Sequence, residues 1–597
     1  MNAVEVLSET RLFAGLTREA LTALAARAAL FEIRGGSVLY RHGDAADAVY
    51  VVGSGRLRAI FPSGQPAGDI GRAEAFGEVD LLAIEHRATT VFAVRDSLLL
   101  KITREVLAEL IQQYPQALLD ATRVIIQRLR VHHGVRRLES VRAQRAIALI
   151  PLVPRPSLKA LAQDMAEELG RYGTVRVLDI ATVDAALGAG AAQARFEDGA
   201  ANERLVTWLN AQEAEFRYLI YCAGDDADAW ARRCMRQADE ILVCAPVQTR
   251  PLATAMVDEL RQSGSRAAIR LLLLRAESEG PGEVDSWREQ TGAEAHFYLR
   301  PQHAGDAASL ARSLTGRGVG LVLGGGGARG FAHIGLLRAM AELKIPVDVA
   351  GGSSMGAFFA ALVGAGYSHH EILHIARETF VTHNYLNDYL FPSVALLRGR
   401  KFVGRLKDIF GERQIEHLRT PFFCISSNLT RGTEMVHDRG PLAIWLAASM
   451  AVPGVAPPIV YKGELLVDGA LVNSLPTDVM QRLQRGPILA SDVSTAGGLQ
   501  APGIEGPDPE GLFKWKALGK RPGLFNIMFR TATITSETQV AARAQRADVY
   551  LRMPVSGIAL FDWKKLDEVC QRGYEHALQQ LGEQRDKLLQ PTAAGDG

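Results

Sequence analysis

The sequence has few cysteines, no long apolar run and no excess of charge of either sign. Its 597 residues include five cysteines, an odd and scattered set that fits neither a disulfide framework nor a paired metal-ligand pattern. No stretch of about 18 uncharged apolar residues occurs, and the N-terminus lacks the basic start and apolar core of a signal peptide. We therefore expect a cytoplasmic protein without a metal site.

The balance of charges excludes a further set of functions. With 67 Lys and Arg against 66 Asp and Glu, the formal net charge is +1, so no global field attracts nucleic acid. Hydrophobic residues make up 48% and charged residues 22%, a composition typical of folded domains with sizeable cores rather than of disordered or collagenous chains. At roughly 150 residues per domain, the length predicts three or four domains.

The first domain is predicted over residues 1–138. Between residues 35 and 95, apolar and polar positions alternate in short runs broken by glycine, which predicts a small β-roll. Helical spacing follows over residues 103–130, with a break near Pro115.

The second domain is predicted over residues 139–314. Its continuous apolar runs are separated by helix-length segments, which predicts a mostly parallel α/β sheet. These runs read IALIPLV, VRVLDI, YLIYCA, EILVCAP and IRLLLL. The first run continues into PLVPRPSLK, which contains no glycine, so we expect no phosphate-binding loop. We assign this domain no chemistry beyond connecting its neighbours.

The third domain, residues 315–597, opens with a glycine-rich turn. The apolar run VGLVL leads into Gly324–Gly327 and then into a helical segment. Glycines allow the backbone to approach a ligand closely, and amides at a helix N-terminus favour an anion. Alone, this text fits a dinucleotide loop equally well.

A second strand, turn and helix follow at residues 352–356, which read GSSMG. A G-x-S-x-G text in this context predicts a nucleophile elbow, a sharp turn that presents the hydroxyl of Ser354. A serine needs a neighbouring base to take its proton, and Asp468, in the apolar text LLVDGALV, is the candidate. Burial raises a carboxyl pKa and would make Asp468 a better base. An ordinary Asp-Gly turn is the alternative.

Taken together, these three sequence motifs resemble those of the patatin-like phospholipases, particularly of the bacterial relatives of neuropathy target esterase. In that family G-G-G-x-[RK]-G is the oxyanion loop, G-x-S-x-G is the elbow, and D-G-[GA] carries the second member of a Ser-Asp dyad. The resemblance extends through residues 447–479 and implies a patatin-like α/β hydrolase domain whose catalytic residues are Ser354 and Asp468. It also assigns the oxyanion hole, namely the backbone amides of Gly325, Gly326 and Gly327, with Arg329 holding the loop.

The implied activity is that of a carboxylic-ester hydrolase acting on a phospholipid or lysophospholipid, with no required cofactor. One alternative is a Ser-Asp-His triad, because His576 follows Asp468 in the order that α/β-hydrolases use. The other is a non-enzymatic cyclic-nucleotide sensor or scaffold that retains a relict hydrolase fold.

The N-terminal roll resembles cyclic-nucleotide-binding domains. The text AFGEVDLL at residues 75–82 is followed by RATTV at residues 87–91, and a glycine before a helical turn, an arginine and a carboxylate together suit a phosphate and a ribose. The resemblance implies cAMP or cGMP as an effector and assigns its site to Gly77, Glu78, Arg87 and Thr89. Asp80 departs from the family pattern, which has a small residue close to the phosphate at this position. A carboxylate there would repel the phosphate. A roll that mediates interaction or dimerisation without a ligand is the alternative.

Residues 511–536 combine five basic residues and no acidic ones with several aromatic residues. Interleaved basic and aromatic side chains suit a lipid interface, so we expect contact with a membrane surface here, at the inner face of the membrane. An active-site cover with snorkelling lysines explains the same text equally well. We expect no nucleic-acid partner, because this cluster is local in a near-neutral chain.

Overall fold

A computed structural model of the chain describes most of its residues. The described residues are 3–13, 15–64, 66–83, 86–114, 145–154, 158–251, 254–263, 265, 267–276, 280, 282–300, 303–383, 385–389, 394–483, 486–494, 506–508, 510–514 and 524–589. No helix in this part of the chain is both long enough and apolar enough to cross a bilayer. The chain divides into two compact units, Met1–Ala311 and Arg312–Gly597.

The first unit begins with an antiparallel roll of two four-stranded sheets. Its strands are β1 (Ala29–Ile33), β2 (Val38–Tyr40), β3 (Ala48–Ser54), β4 (Leu57–Ile60), β5 (Pro66–Ile70), β6 (Ala75–Phe76), β7 (Thr90–Ala93) and β8 (Ser97–Thr103), in the orders β1-β8-β3-β6 and β2-β7-β4-β5. Its helices are α1 (Ala3–Glu9), α2 (Arg18–Arg27), α3 (Glu78–Ala83) and α4 (Arg104–Gln113). The predicted roll is present but extends beyond residues 35–95 at both ends. The predicted break near Pro115 lies outside the described residues.

The second part of this unit is a six-stranded, fully parallel sheet. Its strands are β9 (Arg145–Pro151), β10 (Val175–Leu178), β11 (Tyr218–Cys222), β12 (Glu240–Pro246), β13 (Ala268–Leu274) and β14 (Ala295–Leu299), in the order β10-β11-β9-β12-β13-β14. Its helices are α5 (Leu158–Gly170), α6 (Ile180–Leu187), α7 (Gly199–Glu215), α8 (Ala229–Gln237), α9 (Ala255–Gln262), α10 (Val284–Thr291) and α11 (Ala304–Leu314). The five predicted apolar runs are all strands of this sheet. The sequence did not predict β14, whose mixed text AHFYL lacks a continuous apolar run.

The second unit is built on an eight-stranded mixed sheet. Its strands are β15 (Gly320–Leu323), β16 (Val349–Ser353), β17 (Phe422–Asn428), β18 (Thr433–His437), β19 (Ile459–Tyr461), β20 (Glu464–Asp468), β21 (Ile488–Asp492) and β22 (Val549–Arg552). The order is β19-β20-β17-β16-β15-β21-β22, and β18 also pairs with β17. Strands β15, β16, β17, β21 and β22 run parallel, and β18, β19 and β20 join them through antiparallel pairs.

Helices cover this sheet and enclose the main core of the unit. They are α12 (Ala332–Glu342), α13 (Met355–Gly364), α14 (His369–Ala376), α15 (Arg400–Phe410), α16 (Leu442–Ser449), α17 (Thr477–Arg482), α18 (Gly511–Lys514), α19 (Leu524–Thr538), α20 (Val540–Ala544) and α21 (Leu566–Leu589). A π-helical segment, Arg377–Thr382, follows α14. Helix α13 is buried along nearly its whole length, as its text MGAFFAALVG predicts.

The predicted boundaries between domains stay predictions. The division of the chain between Ala311 and Arg312 falls near the predicted boundary at residues 314 and 315, whereas the boundary at residues 138 and 139 lies outside the described residues.

Candidate active site

Ser354 lies on a strained turn between β16 and α13. Its backbone has φ 53° and ψ −125°, a conformation that a residue with a side chain rarely adopts and that clusters at functional sites. The flanking glycines are needed for space, because a Cβ at Gly352 or Gly356 would lie 2.6 Å or 2.1 Å from the carbonyl oxygen of Leu323. The predicted elbow geometry therefore arises from close packing of this turn against β15.

Asp468 faces Ser354 because strand β17 aligns the ends of two other strands. Ser353, the last residue of β16, pairs with Ile425, and Asp468, the last residue of β20, pairs with the next residue of β17, Ser426. The Ser354 Oγ–H donates a 2.6 Å hydrogen bond to Asp468 Oδ2. Two residues separated by 114 positions in sequence thus meet at the ends of neighbouring strands.

The environment of Asp468 favours a carboxyl group that can accept a proton near neutral pH. The residue is 1% exposed, and burial raises its pKa from the ordinary value to about 7. Hydrogen bonds from Ser354 and from the Ala470 amide, which donates to Oδ1 at 2.8 Å, oppose part of this rise in pKa. The backbone of Asp468 is fixed by Ser427, whose hydroxyl donates to the Asp468 main-chain carbonyl at 2.8 Å.

The glycine loop presents only part of the predicted set of donors. The Gly325 amide donates to the Ser474 carbonyl at 3.0 Å, so in this geometry it is not available to an oxyanion. Across the part of the chain that the structure describes, the amides of Gly326 and Gly327 have no hydrogen-bond acceptor. Gly327 has φ 55°, and a Cβ there would lie 2.3 Å from the Leu560 carbonyl oxygen.

A segment near the C-terminus fixes the far side of this loop. The Ala328 amide donates to the Leu560 carbonyl, and the Arg329 Nε–H donates to the Ile558 carbonyl, both at 2.8 Å. The Arg329 side chain thus bonds to a residue far along the chain, whereas its backbone amide donates to the Gly326 carbonyl of the loop at 3.2 Å. The role predicted for Arg329, holding the loop, stays a prediction for which this contact provides a physical basis.

His333 supports the near side of the loop, a contact that the sequence analysis did not assign. Its Nε2 lies 2.9 Å from the Gly324 carbonyl oxygen and its Nδ1 lies 2.9 Å from the Ser491 hydroxyl. Because burial lowers its pKa to about 4, the ring is neutral near pH 7 and donates one of these bonds while accepting the other. Its position directly after the glycine loop was the available signal.

His576, the alternative third member of a triad, lies within α21 and is partly buried. Among the described residues, the carboxylate of Asp468 bonds to Ser354 and Ala470 and to no histidine. The geometry therefore favours a two-residue arrangement over the triad.

In the roll, Arg87 is buried beside the glycine of the predicted phosphate site. It donates from Nη1 to the Gly77 carbonyl at 3.1 Å and from Nη2 to the Ala48 carbonyl at 2.8 Å. Asp47 Oδ1 lies 3.2 Å from Nη2 and partly neutralises the guanidinium, a partner that the sequence analysis missed. The Tyr40 ring lies against the guanidinium, with its centroid 4.4 Å from Cζ.

The remaining predicted residues of this site lie shortly before and after Arg87 in the sequence. Gly77 has φ 79° and precedes α3, whose first residue, Glu78, is buried. Thr89 lies in a partly exposed bend two residues after Arg87, and Asp80 is half-buried on α3. Gly77 and Arg87 are thus in direct contact.

The predicted membrane-contact segment, residues 511–536, is only partly described. Residues 515–523 lie outside the described residues, whereas Phe513 on α18 is 84% exposed. Contact with a lipid surface therefore stays a prediction.

Comparison with known proteins identifies the class of each segment. Residues 321–480 match the family model described as Patatin-like phospholipase. Residues 30–114 match the model for the Cyclic nucleotide-binding domain, and residues 143–315 match the Neuropathy Target Esterase family P-loop like domain. The chain therefore combines an N-terminal cyclic-nucleotide-binding fold, a middle α/β domain and a C-terminal patatin-like domain, so the predicted multidomain fold is confirmed.

Individual relatives are similar to this chain over most of its length. Patatin-like phospholipase domain-containing protein 7 of Rattus norvegicus is 30% identical over 609 residues, which cover 91% of this chain and 45% of that protein. Neuropathy target esterase sws of Drosophila melanogaster is 30% identical and Patatin-like phospholipase domain-containing protein 6 of Homo sapiens is 29% identical, each over 91% of this chain. The chain spans less than half the length of these relatives. The predicted resemblance to neuropathy target esterase and the patatin-like phospholipases is confirmed.

Proposed function

We propose that the chain is a serine hydrolase of lipid carboxylic esters, of the phospholipase or lysophospholipase type. The observation that carries this proposal is the 2.6 Å hydrogen bond from Ser354 to the buried Asp468, made by a serine in a strained elbow. The patatin-like phospholipase match over residues 321–480 supports a lipid ester as the substrate class.

In this mechanism Asp468 accepts the hydroxyl proton while Ser354 Oγ attacks the ester carbonyl carbon. The C–O bond to the alcohol then breaks, the proton returns to the leaving alcohol, and an acyl-serine remains. Water, deprotonated by the same carboxylate, attacks the acyl-serine, the bond from the acyl carbon to Ser354 Oγ breaks, and the proton returns to Oγ as the fatty acid is released. A single carboxylate serves both steps, because each step needs one proton accepted and one returned.

The tetrahedral oxyanion is stabilised by backbone donors. The amides of Gly326 and Gly327 are the proposed donors, and the N-terminus of α13 adds the positive end of its dipole next to Ser354. Gly325 leaves the proposed set, because its amide donates to Ser474. Each preorganised donor contributes about 3 kcal/mol to the stability of the transition state.

Covalent labelling with a fluorophosphonate probe, combined with hydrolysis of a panel of phospholipids and lysophospholipids, tests the proposal. We expect the wild type to be labelled and active, and we expect Ser354→Ala and Asp468→Asn to lose both properties. Ser353→Ala is the matched control, because the neighbouring serine is also buried but has no hydrogen-bond partner among the described residues. Labelling that persists in Ser354→Ala and disappears in Ser353→Ala would show that the nucleophile is Ser353 and would contradict the proposal.

Binding of a cyclic nucleotide to the roll is the proposed regulation of this hydrolase. Arg87, flanked by Gly77 and Asp47, supplies the cation for a cyclic phosphate, and Glu78 supplies a carboxylate for the ribose. Calorimetric titration of the full chain with cAMP and with cGMP should give binding that Arg87→Gln abolishes. If neither cAMP nor cGMP gave a heat of binding, the roll would instead be an interaction module without a ligand.

Peripheral contact with a membrane surface is the proposed route to substrate. The exposed Phe513 ring and the basic text that follows it favour an interface with anionic lipid. Co-sedimentation with vesicles of phosphatidylcholine containing phosphatidylserine should decrease in Phe513→Ala and at high salt. Equal sedimentation with and without the anionic lipid would contradict this route.

A further inference from the structure

The strained elbow depends on a buried hydroxyl from another helix. The Ser354 amide does not bond within its own turn but donates to Ser449 Oγ at 3.0 Å. Ser449 is the last residue of α16, is fully buried, and lies 95 residues further along the chain. A backbone with φ 53° persists only where its surroundings determine it, so this bond is part of what holds the serine in place.

The same short segment also holds the base. The Asp468 amide donates to the Ala451 carbonyl at 2.9 Å, two residues after Ser449. The intervening turn is itself fixed to α16, because the amides of Met450 and Ala451 donate to the Leu446 and Ala448 carbonyls at 3.0 Å and 3.2 Å. Residues 449–451, the 449–451 turn, therefore contact the backbone of both Ser354 and Asp468.

We propose that Ser449 is a positioning residue for the hydrolase, and that the 449–451 turn sets the distance between nucleophile and base. The inference rests on the proposed function, since it concerns the same two side chains. Among the described residues, Ser449 makes no hydrogen bond to Ser354 Oγ or to the Asp468 carboxylate. Ser449 acts by binding the Ser354 amide. Because Ala451 of the same turn binds the Asp468 amide, the turn fixes these two amides relative to each other.

The alternative is that Ser449 only satisfies a buried amide and stabilises the fold. The two roles differ in their consequences for the reaction rate. If the bond only stabilises, its loss lowers the free energy of unfolding and leaves the chemistry of the folded molecules unchanged. If it positions Ser354, its loss slows attack in molecules that are fully folded, because small displacements of a nucleophile cost large factors in rate.

The experiment compares Ser449→Ala, Ser449→Thr and the wild type in steady-state hydrolysis of a short-chain lipid ester and in fluorophosphonate labelling. Ser449→Ala should lower kcat and the labelling rate constant together by about 10- to 100-fold, with KM within about twofold. Ser449→Thr retains the hydroxyl and should recover most of both rates. The acid limb of the pH profile should also move to higher pH in Ser449→Ala, because a weaker bond from Ser354 lowers the pKa of Asp468 less.

Ser97→Ala is the matched control. Ser97 is also buried, and its hydroxyl also accepts a backbone N–H at 3.0 Å, but it lies in the roll. An equal loss of kcat in Ser97→Ala and Ser449→Ala, or wild-type rates in a folded Ser449→Ala, would overturn the positioning role. If Ser449→Ala does not fold, Ser449→Cys keeps the volume with a weaker acceptor and should show an intermediate rate. A wild type that neither hydrolyses lipid esters nor reacts with the probe would overturn the proposed function instead, and this inference with it.

Discussion

Asp468 combines two properties that oppose each other at the scale of a single residue. Its burial makes it a competent base near neutral pH, and the same burial makes its charged form costly. Both consequences can be measured, one in the rate of hydrolysis and one in the stability of the fold.

The rate of hydrolysis should fall on the acid side of neutrality. With a pKa of about 7, Asp468 becomes protonated below that pH and can no longer accept the Ser354 proton. We expect kcat/KM to rise about tenfold per pH unit up to pH 7 and to level off above it, since kcat/KM reports the free enzyme. A profile of initial rates between pH 5 and pH 9 checks this, and an acid limb near pH 4 would contradict the raised pKa.

The stability of the fold should respond to the same group with the opposite sign. The folded pKa lies above the unfolded value of 3.8, so the folded state binds more protons between these values and loses stability as pH rises toward 7. Relative to Asp468→Asn, the wild type should lose on the order of 3 kcal/mol between pH 5 and pH 8. Urea unfolding of both proteins at the two pH values measures this difference. A difference that does not change with pH would show that the pKa is not raised.

At the scale of single residues, the sequence predicts which residues react better than it predicts which residues contact them. Ser354 and Asp468 are recognisable because glycines flank them and apolar text surrounds them. Ser449 and Asp47 carry no such local signal, because each acts on a residue at least 40 positions away. The orientation of the Gly325 amide was not predictable either, since it is determined by the Ser474 carbonyl on a distant loop.

At the scale of elements, one pair of helices packs through glycines. Helix α21 crosses α12 so closely that a Cβ at Gly335 would lie 2.2 Å from the Cys570 carbonyl oxygen, and one at Gly573 would lie 2.4 Å from the Ala332 carbonyl oxygen. Helix α12 follows the glycine loop directly, and the segment before α21 holds that loop through Leu560. The C-terminal helix, which lies beyond the family match at residues 321–480, is therefore part of the support of the site.

Gly335→Ala should destabilise the second unit. The added Cβ meets backbone atoms of α21, which cannot rotate away, so the helices must separate at a cost of about 1–3 kcal/mol. Gly582→Ala is the control on α21, because nothing lies within 4 Å of its added Cβ and alanine favours a helix by about 1 kcal/mol. Urea unfolding should give changes of opposite sign, and two stabilised variants would disprove the close crossing.

Helix and strand elements were largely predictable because their apolar periodicity is local. The run EILVCAP became a central strand of a parallel sheet, and MGAFFAALVG became a buried helix. The pairing of β17 with both β16 and β20, which brings Ser354 to Asp468, involves strands separated by long stretches of sequence and follows from no local pattern.

At the scale of the whole molecule, the first unit joins its roll to its parallel sheet through buried arginines. Arg95, 1% exposed, donates to Glu213 Oε2 at 3.0 Å and has Nε 2.9 Å from Asp239 Oδ1. Arg56 also pairs with Asp239, at 3.0 Å, and apolar residues Phe92 and Val94 of the roll share a core with the sheet. Composition and domain-level motifs gave no indication of this interface, because it depends on single charges placed opposite each other after folding.

Arg95→Met should therefore destabilise the first unit strongly. Removing the guanidinium leaves Glu213 buried without the cation that it pairs with and takes one of the paired arginines from Asp239, and breaking a buried pair in this way costs about 3–5 kcal/mol. Hydrogen exchange of residues 86–100 and 230–245 should accelerate accordingly. Arg27→Met removes a solvent-exposed pair with Glu109 and should leave the stability almost unchanged, because solvent screens such a pair. The double variant Arg95→Met/Glu213→Leu should recover much of the loss, since a paired apolar replacement leaves fewer buried charges unmatched. If the double variant were as unstable as Arg95→Met, lost packing rather than the stranded carboxylate would account for the effect.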